Sequence, residues 1–424
     1  MTLTPVTSDN PGIADFDLRA LPPGFHADPY SFYRQMRAEC PVLAMPDGSY
    51  FLTRHADLIT VYRSAVVFSS DKKREFLPKY GDTPLFQHHT SSLVFNDPPL
   101  HTRVRKLIMG ALTLRAIAGM EAGLVDLVDR LLDAAQEKNC FDLIEDFAAA
   151  IPIEVIGNLL GVPLADRSPL RGWSLAILGA LEPAPTGEQM ARGNQAVRDF
   201  RDYLRLLVAE RRRSPGDPSH DVLTRLIQGE HDGGGEHDGG GERDGGGEIL
   251  SENELLHNCI FLLNAGHETT TNLIGNALAT LLDWPDQRTR LIGAPALIHT
   301  AVEECLRFES SNQLGNRITT QPTEIGGVYL AQGTPITLCI GAANRDPDVF
   351  ADPDRLDLSR DPNRHLAFGF GTHQCAGMSL ARLEGRIAIQ RFLTRFPRYH
   401  AAGEAVRGGR ARFRGFLSFP VRVS

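Results

Sequence analysis

The sequence predicts one large, helix-dominated domain with a minor sheet, mainly α with a small β subdomain. Three observations carry this expectation. Apolar residues recur at helical spacing over residues 102–134, 143–160, 195–213, 251–282, 295–308 and 378–392. Strand-like patterning is confined to 42–52, 324–330 and 335–340, the last two joined across Gly333. Once a single glycine-rich segment is set aside, nothing of linker composition divides the 424 residues, so 1–424 reads as a single domain.

The helical stretches have local reasons. In 195–213, Val197, Phe200, Tyr203, Leu204, Leu206 and Leu207 alternate with arginines, as an amphipathic helix requires. Ser251 followed by Glu254 makes a capping box, and the largely apolar run 255–263 then implies a helix buried on most faces that continues to residue 282. Between these two lies the exception, residues 230–247, which read EHDGGG, EHDGGG, ERDGGG. This repeat carries nine glycines, six acids and one arginine; without it glycine falls from 40 to 31 and the net charge from −8 to −3. Such a segment has nothing to bury and much backbone entropy to lose, so a flexible surface loop is expected. His231 and His237 with Asp232, Asp238 and Asp244 fit no closed metal site by spacing.

Composition excludes several classes. At 42% hydrophobic and 23% charged, the chain can bury a large core. No apolar run is long enough to span a bilayer, and residues 1–19 lack a basic start and an apolar signal core, so a cytoplasmic protein is expected without a membrane anchor. Six scattered cysteines form no CxxC pair, against a disulfide scaffold or zinc module. A mildly acidic chain without a dense basic block argues against a nucleic-acid partner.

The densest chemistry is Phe368-Gly369-Phe370-Gly371-Thr372-His373-Gln374-Cys375-Ala376-Gly377, just before the helix at 378–392. A cysteine where a glycine-rich loop meets a helix N-terminus receives main-chain N–H groups and the positive end of the helix dipole, which stabilise a thiolate. Glycines 369, 371 and 377 let the backbone approach something flat or bulky. A thiolate so presented serves as nucleophile or metal ligand. His373 is available as the nucleophile's base, but Phe368 and Phe370 better suit an apolar planar cofactor.

Taken whole, this stretch resembles the FGxGxHxCxG haem-ligand loop of the cytochrome P450 family. Three further signatures stand in the order that family has them: Asp97-Pro98-Pro99-Leu100-His101-Thr102-Arg103-Val104-Arg105, Ala265-Gly266-His267-Glu268-Thr269-Thr270, and Glu304-Cys305-Leu306-Arg307. Ala343-Asn344-Arg345-Asp346-Pro347 and His365-Leu366-Ala367 also resemble bacterial members. The likeness runs from about residue 29 to about residue 419. It implies the cytochrome P450 fold, with heme b (iron protoporphyrin IX) buried between the long central helix and the cysteine loop.

The resemblance also implies roles. Cys375 is the expected iron ligand, its thiolate pushing electron density that favours O–O cleavage. Phe368, Gly369, Gly377, Ala265 and Gly266 are expected against the haem, and His101, Arg105, Arg317 and His373 on its propionates. Glycine in a buried helix costs about 1 kcal/mol relative to alanine; at Gly266 the implied reason is room for dioxygen. Thr269 is expected to hydrogen-bond the distal oxygen and Glu268 to relay protons, a helix kink with an incidental threonine being the plain alternative. By spacing alone Glu304 and Arg307 are an ordinary i,i+3 pair; the resemblance makes them buried, structural and tied to Arg355.

One segment departs from the bacterial pattern. Where many members have aromatic-x-proline after the arginine, this chain reads Phe308-Glu309-Ser310-Ser311-Asn312-Gln313-Leu314. Asn312 and Gln313 are therefore candidates to bind a substrate oxygen, unless both face solvent or the propionates, and Phe261 is a third pocket candidate. The segments expected to line the pocket, 76–95, 173–184, 259–265, 310–314 and 414–417, suit a terpenoid, steroid, fatty-acyl or aromatic skeleton. Lys72-Lys73-Arg74 reads as a solvated basic loop rather than a carboxylate attractor.

The implied function is a haem-thiolate monooxygenase, a monomer that inserts one oxygen atom from O2 into an apolar small molecule. No dinucleotide fingerprint is present, so electrons from NAD(P)H are expected through a separate ferredoxin reductase and an acidic, iron–sulfur ferredoxin. Arg103, Lys106, Arg115, Arg364 and Arg382 are expected to form its basic docking face. A peroxygenase, an isomerase or dehydratase, and a non-catalytic haem sensor would share the cysteine loop; Glu268 and Thr269 favour dioxygen activation.

Overall fold

The computed structural model describes residues 13, 15–218, 221–228 and 250–423. The glycine-rich repeat at 230–247 lies outside the described residues. The fold is organised around the helix Glu252–Asp283, which packs against Ala150–Leu159, Leu170–Gly179, Gly187–Arg213, Ile298–Phe308 and Met378–Arg395. Its capping box is present: Ser251 Oγ accepts the Glu254 N–H, and the Glu254 carboxylate accepts the Ser251 N–H at 2.8 Å. Residues on all sides of this helix are buried, including polar ones. Buried polar groups need partners, and Asn258 uses its own as a brace. Its Oδ1 accepts the Leu93 N–H at 2.9 Å and its Nδ2 donates to the Ser91 carbonyl at 3.1 Å, tying residues 91–93 to the helix.

Helix boundaries differ from the periodicity where a capping side chain intervenes. Residues 102–134 are two helices, Leu100–Ala111 and Leu114–Lys138, meeting at 51°. Thr113 accepts the Ala116 N–H there and starts the second. Residues 143–160 open with a π-helical turn, Leu143–Ala148, under an Asp142 cap before the α-helix Ala150–Leu159. The helix expected at 195–213 begins at Gly187, under a Thr186–Gln189 capping box. No single helix among the described residues is long and apolar enough to cross a membrane.

The strands are shorter and more numerous than their patterns suggested. Residues 42–52 form a hairpin, Val42–Ala44 against Tyr50–Leu52. Residues 324–330 also fold back, Thr323–Ile325 on Val328–Leu330, because Gly326 and Gly327 turn with φ of 57° and 81°. Pro335–Cys339 therefore pairs elsewhere, parallel to Tyr50–Leu52 and antiparallel to Leu314–Thr319. That last strand was not predicted, because its glycine, asparagine and arginine mask the β pattern. With Phe68–Ser69 at the far edge, these make a five-stranded sheet. The largest apolar cluster surrounds the central helix, and two smaller ones lie against the sheet.

Ser251→Ala is expected to lower unfolding stability by about 1 kcal/mol, because the Glu254 N–H in the first turn of the central helix loses its side-chain acceptor. A denaturant midpoint unchanged from the parent would contradict this.

Candidate functional site

A cavity of about 360 Å³ separates the central helix from the cysteine loop. Its walls bring together His101, Arg105, Phe261, Ala265, Gly266, Thr269, Asn312, Arg317, Phe368, Gly369, His373, Cys375 and Gly377. Glu268, Glu304, Arg307, Arg355 and Gln313 lie outside this lining.

The cysteine loop is shaped by close approach. Gly371 has φ 72°, and a Cβ there would stand 2.4 Å from the Tyr62 carbonyl oxygen, so no side chain fits. The Cys375 N–H donates to the Phe368 carbonyl at 2.9 Å, and the thiol faces the cavity. Burial pushes the Cys375 thiol up, while the Gly377 N–H, Arg105 and Arg382 pull it down. Arg382 also lies 4.7 Å over the Phe368 ring and pairs with Glu303 at 2.7 Å. Burial works to raise Glu303, but hydrogen bonds from His365 and Arg382 hold it at about 2.

On the wall beside the loop the His101 and His373 rings stand 4.0 Å apart. Both His101 ring nitrogens and His373 Nε2 are buried without a partner among the described residues. Burial pushes both imidazoles down, His373 to about 2. Arg317 lies 5.5 Å over Tyr62 and donates to the Asn316 carbonyl; neither it nor Arg105 pairs with a carboxylate among the described residues. Buried ring nitrogens without partners and arginines without carboxylates, next to a cavity-facing thiol, fit a planar group with an anionic edge, as haem has.

The central-helix wall differs from expectation in detail. A Cβ on Gly266 would lie 2.5 Å from Ile156 Cδ1, so the Ile156 side chain would have to shift to admit one. Thr269 Oγ1 donates to the Ala265 carbonyl at 2.7 Å. Glu268 is ion-paired with Arg410 at 2.6 Å and its Oε2 is buried without a partner. Burial raises the Glu268 carboxyl and Arg410 opposes the shift. Arg410 has no sequence signal, being 142 positions from its partner. Among the polar wall residues, Asn264 falls in the expected segment 259–265 and its amide has no partner among the described residues, whereas Glu384, whose Oε2 has none, was missed. Burial lifts the Glu384 carboxyl to about 8.

Five further expectations are corrected. Arg355 is exposed and contributes only its carbonyl, to Arg307 Nη2 at 3.2 Å. The second cation on Glu304 is Arg360, at 3.1 Å, because the chain turns back after residue 355 and delivers residue 360 to the buried carboxylate. Gln313 is a buried brace whose Nε2 donates to the Ser310 carbonyl and to Tyr30 Oη; of the 310–314 pair only Asn312 reaches the cavity. The C-terminal lining comes from Arg412 and Phe413, just before the expected 414–417. Lys72 is not solvated but buried, paired with Glu75 at 2.6 Å. In the expected basic face, Arg103 is paired with Glu254 and Arg382 with Glu303, leaving Lys106, Arg115 and Arg364 exposed without those carboxylates.

Comparison with known proteins shows the family. The cytochrome P450 family model matches residues 180–293 and 296–401. The biotin biosynthesis cytochrome P450 of Bacillus subtilis (strain 168) is 37% identical over 385 residues, covering 89% of this chain and 91% of that protein. The vitamin D(3) 25-hydroxylase of Pseudonocardia autotrophica is 37% identical over 408 residues, covering 94% of each. Among solved structures, P450BioI in complex with hexadec-9Z-enoic acid ligated acyl carrier protein has a TM-score of 0.85 at 34% identity, covering 94% of this chain and 100% of that one.

Two outcomes test the electrostatics. Arg360→Ala should destabilise the fold by about 2 kcal/mol, since it strips a cation from a buried carboxylate, whereas Arg355→Ala should stay within about 0.5 kcal/mol of the parent; equal losses in denaturant melts would contradict the assignment. Glu384 has a folded value raised to about 8, so its stabilising contribution is complete below the ordinary glutamate range and is lost as pH rises through about 8. Thermal midpoints of the parent should therefore fall relative to Glu384→Gln over that window, and parallel profiles would exclude it.

Proposed function

The chain belongs to the cytochrome P450 family, whose relatives here are haem-iron monooxygenases, and on that premise we propose that it inserts one atom of O2 into an apolar small molecule of terpenoid, steroid, fatty-acyl or aromatic type, drawing electrons from NAD(P)H through a ferredoxin reductase and a ferredoxin. The observation that carries the reading is the cavity itself: the thiol of Cys375 on one wall, Thr269 and Ala265 on another, and an apolar lining between.

Bound haem supplies the iron at which dioxygen is activated. The residues of this chain do the rest. Cys375 Sγ would hold the iron, and His101, Arg105, Arg317 and His373 would meet the propionates, the two histidines with ring nitrogens that otherwise lack partners among the described residues. Phe261, Ile177, Leu178 and Leu181 offer the substrate an apolar surface and exclude water. The Thr269 hydroxyl, while donating to Ala265, keeps its lone pairs for a hydrogen bond from the cavity. Glu268 Oε2, the oxygen that Arg410 leaves without a partner, is the atom at which a proton is held behind it. For the electron donor, exposed Lys106, Arg115 and Arg364 supply the positive charge that an acidic ferredoxin would meet. The vitamin D(3) 25-hydroxylase is a precedent for a bulky apolar substrate.

Cys375→Ala is expected to abolish the thiolate-type absorption band of the reduced, CO-bound protein. Thr269→Ala should keep consuming reducing equivalents while product per electron falls by about tenfold or more. A thiolate band surviving in Cys375→Ala would overturn the reading, and unchanged coupling in Thr269→Ala would remove that residue from it.

A further inference from the structure

Three arginines lie close together in the C-terminal loop, and their surroundings differ. Arg410 is paired with Glu268, and Arg414 with Glu309, its other nitrogens donating to the carbonyls of His26 and Ala27. Arg412, which lines the cavity, has no carboxylate within ion-pair distance among the described residues. Its Nη1 donates to the Leu314 carbonyl at 2.9 Å and its Nη2 to Asn316 Oδ1 at 2.5 Å, while Nε is buried without a partner. The carboxylate beside this loop, Glu182, is engaged by main chain, accepting the N–H groups of Ala411 at 2.8 Å and Arg412 at 3.4 Å. Asn312 bridges to Phe413 next to Arg412 and lines the same cavity.

The charge on the walls points the same way. The ionisable lining comprises three arginines, Arg105, Arg317 and Arg412, and one carboxyl, Glu384, besides Tyr62, whose phenol burial pushes up, histidines that add no negative charge, and the cysteine. Glu384 stays protonated at neutral pH, since burial lifts it to about 8. A haem whose two propionates take Arg105 and Arg317 leaves one guanidinium over. Burying an unpaired cation against an apolar wall is unfavourable, and a charge-assisted, two-point contact with a carboxylate relieves it.

We propose that this site takes a monocarboxylic acid with an apolar body, its carboxylate held by Arg412 beside Asn312. This rests on the haem-thiolate reading and narrows its substrate class to free acids, setting aside esters and carrier-bound thioesters, which lack the anionic group.

The test uses the ferric holoprotein, titrated with medium- to long-chain fatty acids, each against its methyl ester, with spin-state change and ligand-induced thermal shift read together. The parent should bind at least one acid about ten- to a hundredfold more tightly than its ester. Arg412→Gln should erase that preference and leave ester binding in place, and Arg412→Lys should restore part of it. Acid and ester binding equally well, or no acid registering by either readout, would overturn the proposal even if no variant folds, because the parent alone decides it. Loss of haem from a folded Arg412→Gln, with acid preference lost in proportion, would assign Arg412 to a propionate and also overturn it. Failure of the monooxygenase reading is distinguishable, since it would appear as a parent without the thiolate-type CO band.

Discussion

The buried carboxylate of Glu304 is the point on which the proximal half of the structure depends. It is wholly excluded from solvent and accepts from Arg307 Nε and Nη2 at 2.7 Å, from Arg360, from Asn363 Nδ2 at 3.0 Å and from the Asp357 N–H at 2.9 Å. Arg307 spends its remaining donors on the carbonyls of Asn344, Pro353 and Arg355. A buried ion pair by itself is weak evidence of stability, because desolvation offsets the attraction. Here the neighbouring irregular chain supplies many of the remaining partners. Residues 344–363 have little regular structure of their own, and this carboxylate and guanidinium supply the hydrogen bonds a sheet or helix would have.

That anchoring reaches the thiol through a short path. Asn344, whose carbonyl accepts from Arg307, uses its side-chain oxygen to accept the Leu366 N–H at 2.6 Å, and its Nδ2 donates to Ser310 Oγ. Leu366 in turn accepts the Gly369 N–H at 2.8 Å, and Phe368 accepts the N–H of Cys375. From the other side, Arg382 stacks on Phe368 while held by Glu303. The loop is thus held at both ends by groups that lie outside the cavity.

Pairing also sorts the arginines by task. Arg307, Arg360, Arg410 and Arg414 each have a carboxylate and hold chain segments together. Arg105, Arg317 and Arg412 have none among the described residues, and all three face the cavity. The same rule separates Gln313, whose Nε2 braces Ser310 and Tyr30, from its neighbour Asn312 on the wall. Unpaired polarity concentrated on one internal surface is what a site that receives an anionic cofactor requires.

The sequence alone determined whatever depends on near neighbours in the chain. The Ser251–Glu254 capping box, the Glu304–Arg307 spacing, and a cysteine between a glycine-rich loop and a helix are local patterns, and local geometry realises them. They sufficed to place the long helix, the loop and most of the cavity wall. What depended on distant chain meeting in space was not legible. Nothing near Glu268 announces Arg410, nothing near Glu304 distinguishes Arg360 from Arg355, and the strand Leu314–Thr319 acquires its β character from pairing with Pro335–Cys339 and Phe68–Ser69. Gly266 shows the distinction at one atom: a glycine in a helix is visible in the sequence, but the side chain that packs over it, Ile156, is supplied by another helix. Packing, desolvation and ion pairing act through space, so the tertiary structure alone decided which polar groups were satisfied and which were left facing the cavity.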